Sequence, residues 1–127
     1  MSKRAIRTDN APAPKPFFSQ AIVHEKMVYT SGAVGMDPAT GRLVEGTTGD
    51  RTVQCLKNIS NILEAAGSSL DNIIKATIFI DDMSNYGSMN EAYLNVFNNG
   101  TPPARTCVAV KQLPLGTDVE IEVVAHL

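Results

Sequence analysis

The last quarter of the chain constrains the fold most. Ala104-Arg105-Thr106-Cys107-Val108-Ala109-Val110 and Val119-Glu120-Ile121-Glu122-Val123-Val124-Ala125 both alternate in character, with an eight-residue turn between them. Alternation of this kind belongs to β-strands, whose successive side chains point to opposite faces. Paired as a hairpin, the two strands put Thr106, Val108 and Val110 with Val119, Ile121, Val123 and Ala125 on one apolar face. The other face then carries a guanidinium, a thiol and two carboxylates, from Arg105, Cys107, Glu120 and Glu122. Such a face is either a surface charge pair or the polar centre of a pocket.

The rest of the chain supplies the layers for that sheet. Ile73 to Ile80 is β-branched and too short for a typical helix, which predicts a central strand. Phe17 to Val23 and Lys26 to Ser31 predict two more strands around a polar turn at His24-Glu25. Between Gly32 and Gly49, Gly35, Asp37-Pro38, Thr40-Gly41 and Gly46 predict a loop. From Asp50 to Ala66, Val53, Leu56, Ile59, Leu63 and Ala66 recur at three- and four-residue steps, which predicts an amphipathic helix entered through Thr47-Thr48 and closed by Gly67. Asp82 and Ser84 can cap a second helix running to about Asn98, with Tyr86, Met89, Tyr93 and Phe97 on one side. The prolines at 12, 14 and 16 make residues 1–16 an extended lead-in.

The order β-β-α-β-α-β-β over a single domain of residues 1–127 predicts an α+β, two-layer sandwich: a mostly antiparallel sheet with both helices on one face. The second face of such a sheet is uncovered in a monomer. Its mixed apolar and polar composition predicts burial against another subunit.

Charge and composition exclude several classes. A formal net charge of −2 leaves no basic footprint, so nucleic acid is disfavoured as a partner. Cys55 and Cys107 are the two cysteines and read as reduced thiols, and His24 and His126 lie far apart, so no metal site is expected. No apolar run approaches the roughly 18–20 residues of a membrane span. The N-terminal ten residues lack the apolar core of a secretory signal, so a cytoplasmic location is expected, with the mitochondrial matrix requiring a removed presequence. Walker, dinucleotide, nucleophile-elbow and zincin motifs do not occur.

Five residues can carry chemistry. Arg105 has the planar fork that grips a carboxylate; its alternative is an ion pair with Glu120 or Glu122 across the hairpin. Glu120, partly desolvated, can hold a water and shuttle protons, or it can be a solvated surface charge. Cys107 has no adjacent base and reads as an inert thiol. Ser31-Gly32 ends a strand where backbone amides can approach a ligand, or simply terminates it.

Beyond these, Pro103-Ala104-Arg105-Thr106-Cys107-Val108, Leu113-Pro114-Leu115-Gly116-Thr117-Asp118 and Val119-Glu120-Ile121-Glu122 resemble the signature of the Rid family (YjgF-type, reactive intermediate/imine deaminase), RidA subgroup. So do Asn10-Ala11-Pro12, Ser19-Gln20-Ala21, Tyr29-Thr30-Ser31-Gly32, Ser69-Leu70-Asp71-Asn72-Ile73 and Asn90-Glu91-Ala92-Tyr93, which spread the resemblance over nearly the whole chain.

The resemblance implies a chorismate-mutase-like fold, a homotrimer, and sites in the clefts between subunits. It implies hydrolysis of 2-iminobutanoate and 2-iminopropanoate, made by pyridoxal-phosphate-dependent dehydratases, to 2-oxo acids and ammonia without a cofactor. By position, Arg105 would clamp the substrate carboxylate and Glu120 would position the water. Cys107 and Gly32 would seat the substrate through their backbone, with Ser31, Phe18 and Asn90 as further substrate-binding positions. The chain departs from the family at Phe18, often Tyr, at Ala33, commonly Gln, and at Val34-Gly35-Met36, where Ile-Pro is usual. A ribonuclease or translation inhibitor, and a non-catalytic carboxylate-binding or chaperone-like protein, are the alternative expectations.

Overall fold

The computed structural model describes residues 2–127. One sheet contains β1 (Arg4–Ile6), β2 (Ala21–His24), β3 (Met27–Thr30), β4 (Ala33–Val34), β7 (Ile73–Ile80), β8 (Ala104–Ala109) and β9 (Val119–His126). Two short strands, β5 (Met36–Asp37) and β6 (Arg42–Leu43), form a separate ribbon inside the segment expected to be loop. The spatial order is β1-β2-β3-β9-β7-β8, with β4 also paired to β9. Every pairing in the sheet is antiparallel except β7 with β8. Those two run parallel because α2 (Tyr86–Val96) carries the chain back between them.

Both helices start on identifiable caps. α1 (Thr48–Ala66) opens on a capping box, in which Thr47 accepts from the Asp50 amide and Asp50 accepts from the Thr47 amide. It closes at Gly67, whose φ of 88° lies in the left-handed region that glycine adopts without strain. Ahead of α2, Asp82 accepts from the Ser84 amide and caps a 3-10 turn over Met83–Asn85. Leu56, Ile59 and Leu63 of α1 and Met89 and Tyr93 of α2 are buried in one core with Ala76, Ile78 and Ile80 of β7 and Val119, Ile121, Val123 and Ala125 of β9. The two helices therefore cover the same face of the sheet. None of the helices among the described residues is long and apolar enough to cross a membrane.

Three expectations are corrected. The two C-terminal strands are not a hairpin, because β7 lies between β8 and β9. The parity of β8 is also reversed. Arg105 sits opposite Ala76 and Cys107 opposite Ile78, both buried residues of β7, so Arg105 and Cys107 point to the helix side. Thr106 and Val108 are exposed on the other face. The alternation in β9 runs as expected, with Glu120 and Glu122 directed away from the helices. Finally, the strand expected from Phe17 begins at Ala21, and Arg4–Ile6 of the lead-in pairs with it as an edge strand ahead of a turn at Asp9–Asn10.

α1 also pins the segments around Glu120. Arg51 donates from Nε to Asp118 Oδ1 at 2.7 Å and from Nη2 to Oδ2 at 2.8 Å, and Thr48 Oγ1 donates to Oδ2 at 2.6 Å. Asn58 Nδ2 holds the carbonyls of Val34 and Met36, the first of which belongs to β4. The entry of β9 and its short neighbour are thereby fixed to one rigid helix.

Candidate functional site

On the helix side of the edge strand, Arg105 meets the first three turns of α2. Its Nη1 donates to Asn90 Oδ1 at 2.7 Å and its Nη2 to the Tyr86 hydroxyl at 3.1 Å. The guanidinium carbon stands 5.0 Å from the Tyr93 ring centroid and 5.6 Å from that of Tyr86, within cation–π range. All of these neighbours are neutral. Among the described residues the ion pairs are Arg7–Asp9 and Arg51–Asp118, with a His24–Glu25 contact that is an ion pair only when the histidine is protonated, so Arg105 has no carboxylate partner. The cross-strand ion pair with Glu120 or Glu122 is thus absent, and its geometry is impossible across an intervening strand on opposite faces. What remains is a guanidinium whose direction is fixed and whose charge is unspent.

Cys107 lies two residues along the same face, partly buried against the core. Burial pushes its thiol pKa up, while the Arg105 charge pulls against that. It is a neutral thiol at neutral pH.

Glu120 occupies a second cluster on the uncovered face, where β9 is flanked in register by Phe79 of β7 and Val34 of β4. Gly32 comes so close that a Cβ there would lie 2.7 Å from both Cδ and Oε2 of Glu120. Only glycine permits that approach. Burial, and then the neighbouring Glu122 charge, raises the Glu120 pKa above the ordinary carboxylate value. Such a carboxylate is a better proton acceptor than a solvated one.

Ser31 immediately precedes Gly32 in the chain, and Phe18 immediately precedes Ser19. Ser31 Oγ donates to the Ser19 carbonyl at 2.6 Å, and the Ser31 amide donates to the Gln20 carbonyl at 3.0 Å. Its hydroxyl proton is committed to the backbone, so Ser31 shapes the site and is no activated nucleophile. Buried Gln20 in turn donates to the carbonyls of Thr8 and Pro12 and anchors the lead-in. Phe18 and Ser31 line an open groove of about 430 Å³ together with Phe17, Ile22 and Tyr29; Glu120 is not part of its wall.

The candidate residues therefore fall into two half-sites. One holds Arg105, Asn90 and Cys107; the other holds Glu120 against Gly32, with Ser31 joining Gly32 along the chain to the groove that Phe18 lines. Within one chain the strands of the two half-sites are separated by about 9–10 Å, two strand spacings, and the side chains diverge to opposite faces. Tyr86 and Tyr93, read from sequence as lying on one side of α2, join the Arg105 cluster. Their spacing from Asn90, four residues before and three after, was the available signal, since it puts all three on one side of the helix. No group of three or more His, Cys, Asp or Glu side chains among the described residues is placed to hold a metal.

The fold and the paired half-sites define a two-layer α+β protein built around a free guanidinium and a desolvated carboxylate. A family profile described as Endoribonuclease L-PSP matches residues 8–127. The chain is 40% identical over 123 residues to a Rattus norvegicus protein named 2-iminobutanoate/2-iminopropanoate deaminase, covering 97% of this chain and 89% of that one. The human protein of the same name is 39% identical over 123 residues, with the same coverage of 97% and 89%.

Among solved structures, a Rid-family protein of Yersinia pestis superposes with a TM-score of 0.96 at 42% identity, covering 99% of this chain and 100% of that one. The E. coli protein TdcF, crystallised with bound serine, superposes with a TM-score of 0.93 at 35% identity over 98% of each chain. The chain belongs to the Rid (YjgF, Endoribonuclease L-PSP) family.

Proposed function

We propose that the protein is an enamine/imine deaminase that hydrolyses small 2-imino acids to 2-oxo acids and ammonia. The observation that carries this reading is the Arg105 guanidinium, oriented by Asn90 and Tyr86 and left without a carboxylate of its own. A positioned, unpaired guanidinium is a receptor for a carboxylate-bearing ligand. Relatives named for 2-iminobutanoate and 2-iminopropanoate supply the substrate class, and a structural relative holding serine supports a ligand with an α-carboxylate.

The chemistry requires few groups. Arg105 holds the carboxylate of R–C(=NH)–COO⁻. Water attacks the imine carbon and gives one proton to Glu120, which passes it to nitrogen to form a carbinolamine. Glu120 then takes the carbinolamine hydroxyl proton and delivers it to the amine as the C–N bond breaks, so that nitrogen leaves as ammonia with both protons of the water. The products are R–CO–COO⁻ and ammonia, with no oxidation or reduction. A protonated imine carbon is already electrophilic, so fixing water and substrate together provides much of the acceleration without a cofactor.

Arg105 and Glu120 diverge within one chain, so the complete site lies between copies, with the Arg105 edge of one facing the Glu120 face of the next. Unlike surfaces meeting in this way close into rings. The Rid resemblance makes the ring a homotrimer with a chorismate-mutase-like arrangement. Pyridoxal-phosphate-dependent dehydratases of serine and threonine are the expected source of substrate.

The test couples the purified protein to a threonine dehydratase and follows release of 2-oxobutanoate. Faster release than in buffer, lost in Arg105→Ala, is the expected result. No acceleration, or full activity in that variant, sinks the proposal. Sedimentation at assay concentration gives the subunit number, and a fully active monomer would exclude the shared site.

A further inference from the structure

The hydrogen bond between Arg105 and Tyr86 has a fixed direction. Arginine carries only donors and stays protonated, so at 3.1 Å the Tyr86 oxygen is the acceptor from Nη2. The phenolic hydrogen is therefore turned away from the guanidinium. Among the described residues it meets no acceptor, and Tyr86 is 37% exposed at the first residue of α2. Asn90, one turn along, likewise spends Oδ1 on Arg105 Nη1 and keeps its Nδ2 hydrogens free.

Every unspent polar hydrogen in this cluster is thus a donor. A carboxylate offers acceptors alone and complements that set. Phe17 and Phe18, in the groove that Ser31 lines, present phenyl rings with no polar hydrogen to donate.

We propose that Tyr86 is a further substrate-binding residue, whose phenol donates a hydrogen bond to the ligand carboxylate beside Arg105. The proposal rests on the preceding reading only for the identity of the ligand. Its competitor is a purely positioning role, in which Tyr86 does nothing beyond holding the guanidinium.

Binding of 2-oxobutanoate, the stable 2-oxo acid, separates the two roles. Affinity is read by ligand-observed NMR, which reaches millimolar dissociation constants, for the wild type, Tyr86→Phe, Arg105→Lys and the double variant. Tyr86→Phe keeps the ring and its packing, so its melting temperature stays at the wild-type value.

Loss of one hydrogen bond to a charged group weakens binding about tenfold. A similar factor persists when Tyr86→Phe is introduced into the Arg105→Lys background, because the phenol meets the ligand directly. A factor that disappears in that background assigns Tyr86 to positioning and overturns the proposal. Unchanged binding in Tyr86→Phe also overturns it, as does a wild type that binds no 2-oxobutanoate. A wild type that binds the acid with this dependence on Tyr86, yet accelerates no imine hydrolysis, refutes the deaminase reading and leaves the Tyr86 contact standing.

Discussion

Replacing Gly32 with alanine separates the function of the Glu120 half-site from its stability. The added Cβ would stand 2.7 Å from Cδ and Oε2 of Glu120, whereas ordinary contact begins near 3.4 Å. The carboxylate must therefore move outward by at least the difference between 3.4 and 2.7 Å, or 0.7 Å. It can do so cheaply, because the clash falls on the far end of a flexible side chain, and Gly32 is not among the glycines at positive φ.

The expected loss of stability is less than about 1 kcal/mol. A displacement approaching 1 Å at a reacting group costs on the order of 10- to 100-fold in rate. The loss should fall on kcat, with KM little changed, because Arg105 is untouched. The assay is the coupled imine hydrolysis, with a thermal melt on the same preparation.

Gly35→Ala is the control, since its Cβ would lie 2.8 Å from the Arg51 backbone carbonyl oxygen, which cannot swing aside. That variant should lose about 2 kcal/mol, or roughly 5–10 °C in melting temperature, while kcat of the folded protein stays near wild type. A Gly32→Ala enzyme with kcat within about twofold of wild type would refute the idea that catalysis depends on where the Glu120 carboxylate sits.

Three further outcomes follow from the site and its supports. Hydrogen bonding from Arg51, supported by Thr48, holds the Asp118 pKa below its ordinary value, so its stabilisation is complete above pH 3.8 and is lost as pH falls through the depressed value. Asp118→Asn should therefore cost about 1–3 kcal/mol at pH 7 in denaturant melts, with the gap to wild type closing in strong acid. Glu122→Gln removes the second of the two causes that raise the Glu120 pKa, so the acid limb of the pH–rate profile should move to lower pH with an unchanged plateau; a stationary limb would mean that Glu120 is not the titrating group. Cys107→Ser should keep activity within about threefold in the same assay, because a thiol whose pKa is raised by burial supplies no thiolate.

The helices and the long strands were legible because local chemistry decides them. Thr47, Asp50 and Gly67 bracket α1, and Val119, Ile121, Val123 and Ala125 alternate so cleanly in β9 that only one face could be buried. β8 was misread for two physical reasons. Adjacency in sequence suggested a hairpin, but the parallel alignment with β7 is a long-range choice made by the α2 crossover. Its residues also leave parity undecided, since Arg105 and Cys107 alternate with Thr106 and Val108, and neither set is plainly a core face.

β1 escaped notice because three residues, Arg-Ala-Ile, carry no periodicity. The candidate site residues come from the family signature. That signature could not reveal that Arg105 faces the helices while Glu120 faces away.

The separation of those two side chains has a genetic consequence. An allele lacking the Arg105 guanidinium retains an intact Glu120 surface, and an allele lacking the Glu120 carboxylate retains an intact Arg105 surface. Each is inactive alone if the site is shared between copies. Co-expressed in equal amounts and assembled at random, they would complement one another, with about a quarter of the junctions receiving both working halves.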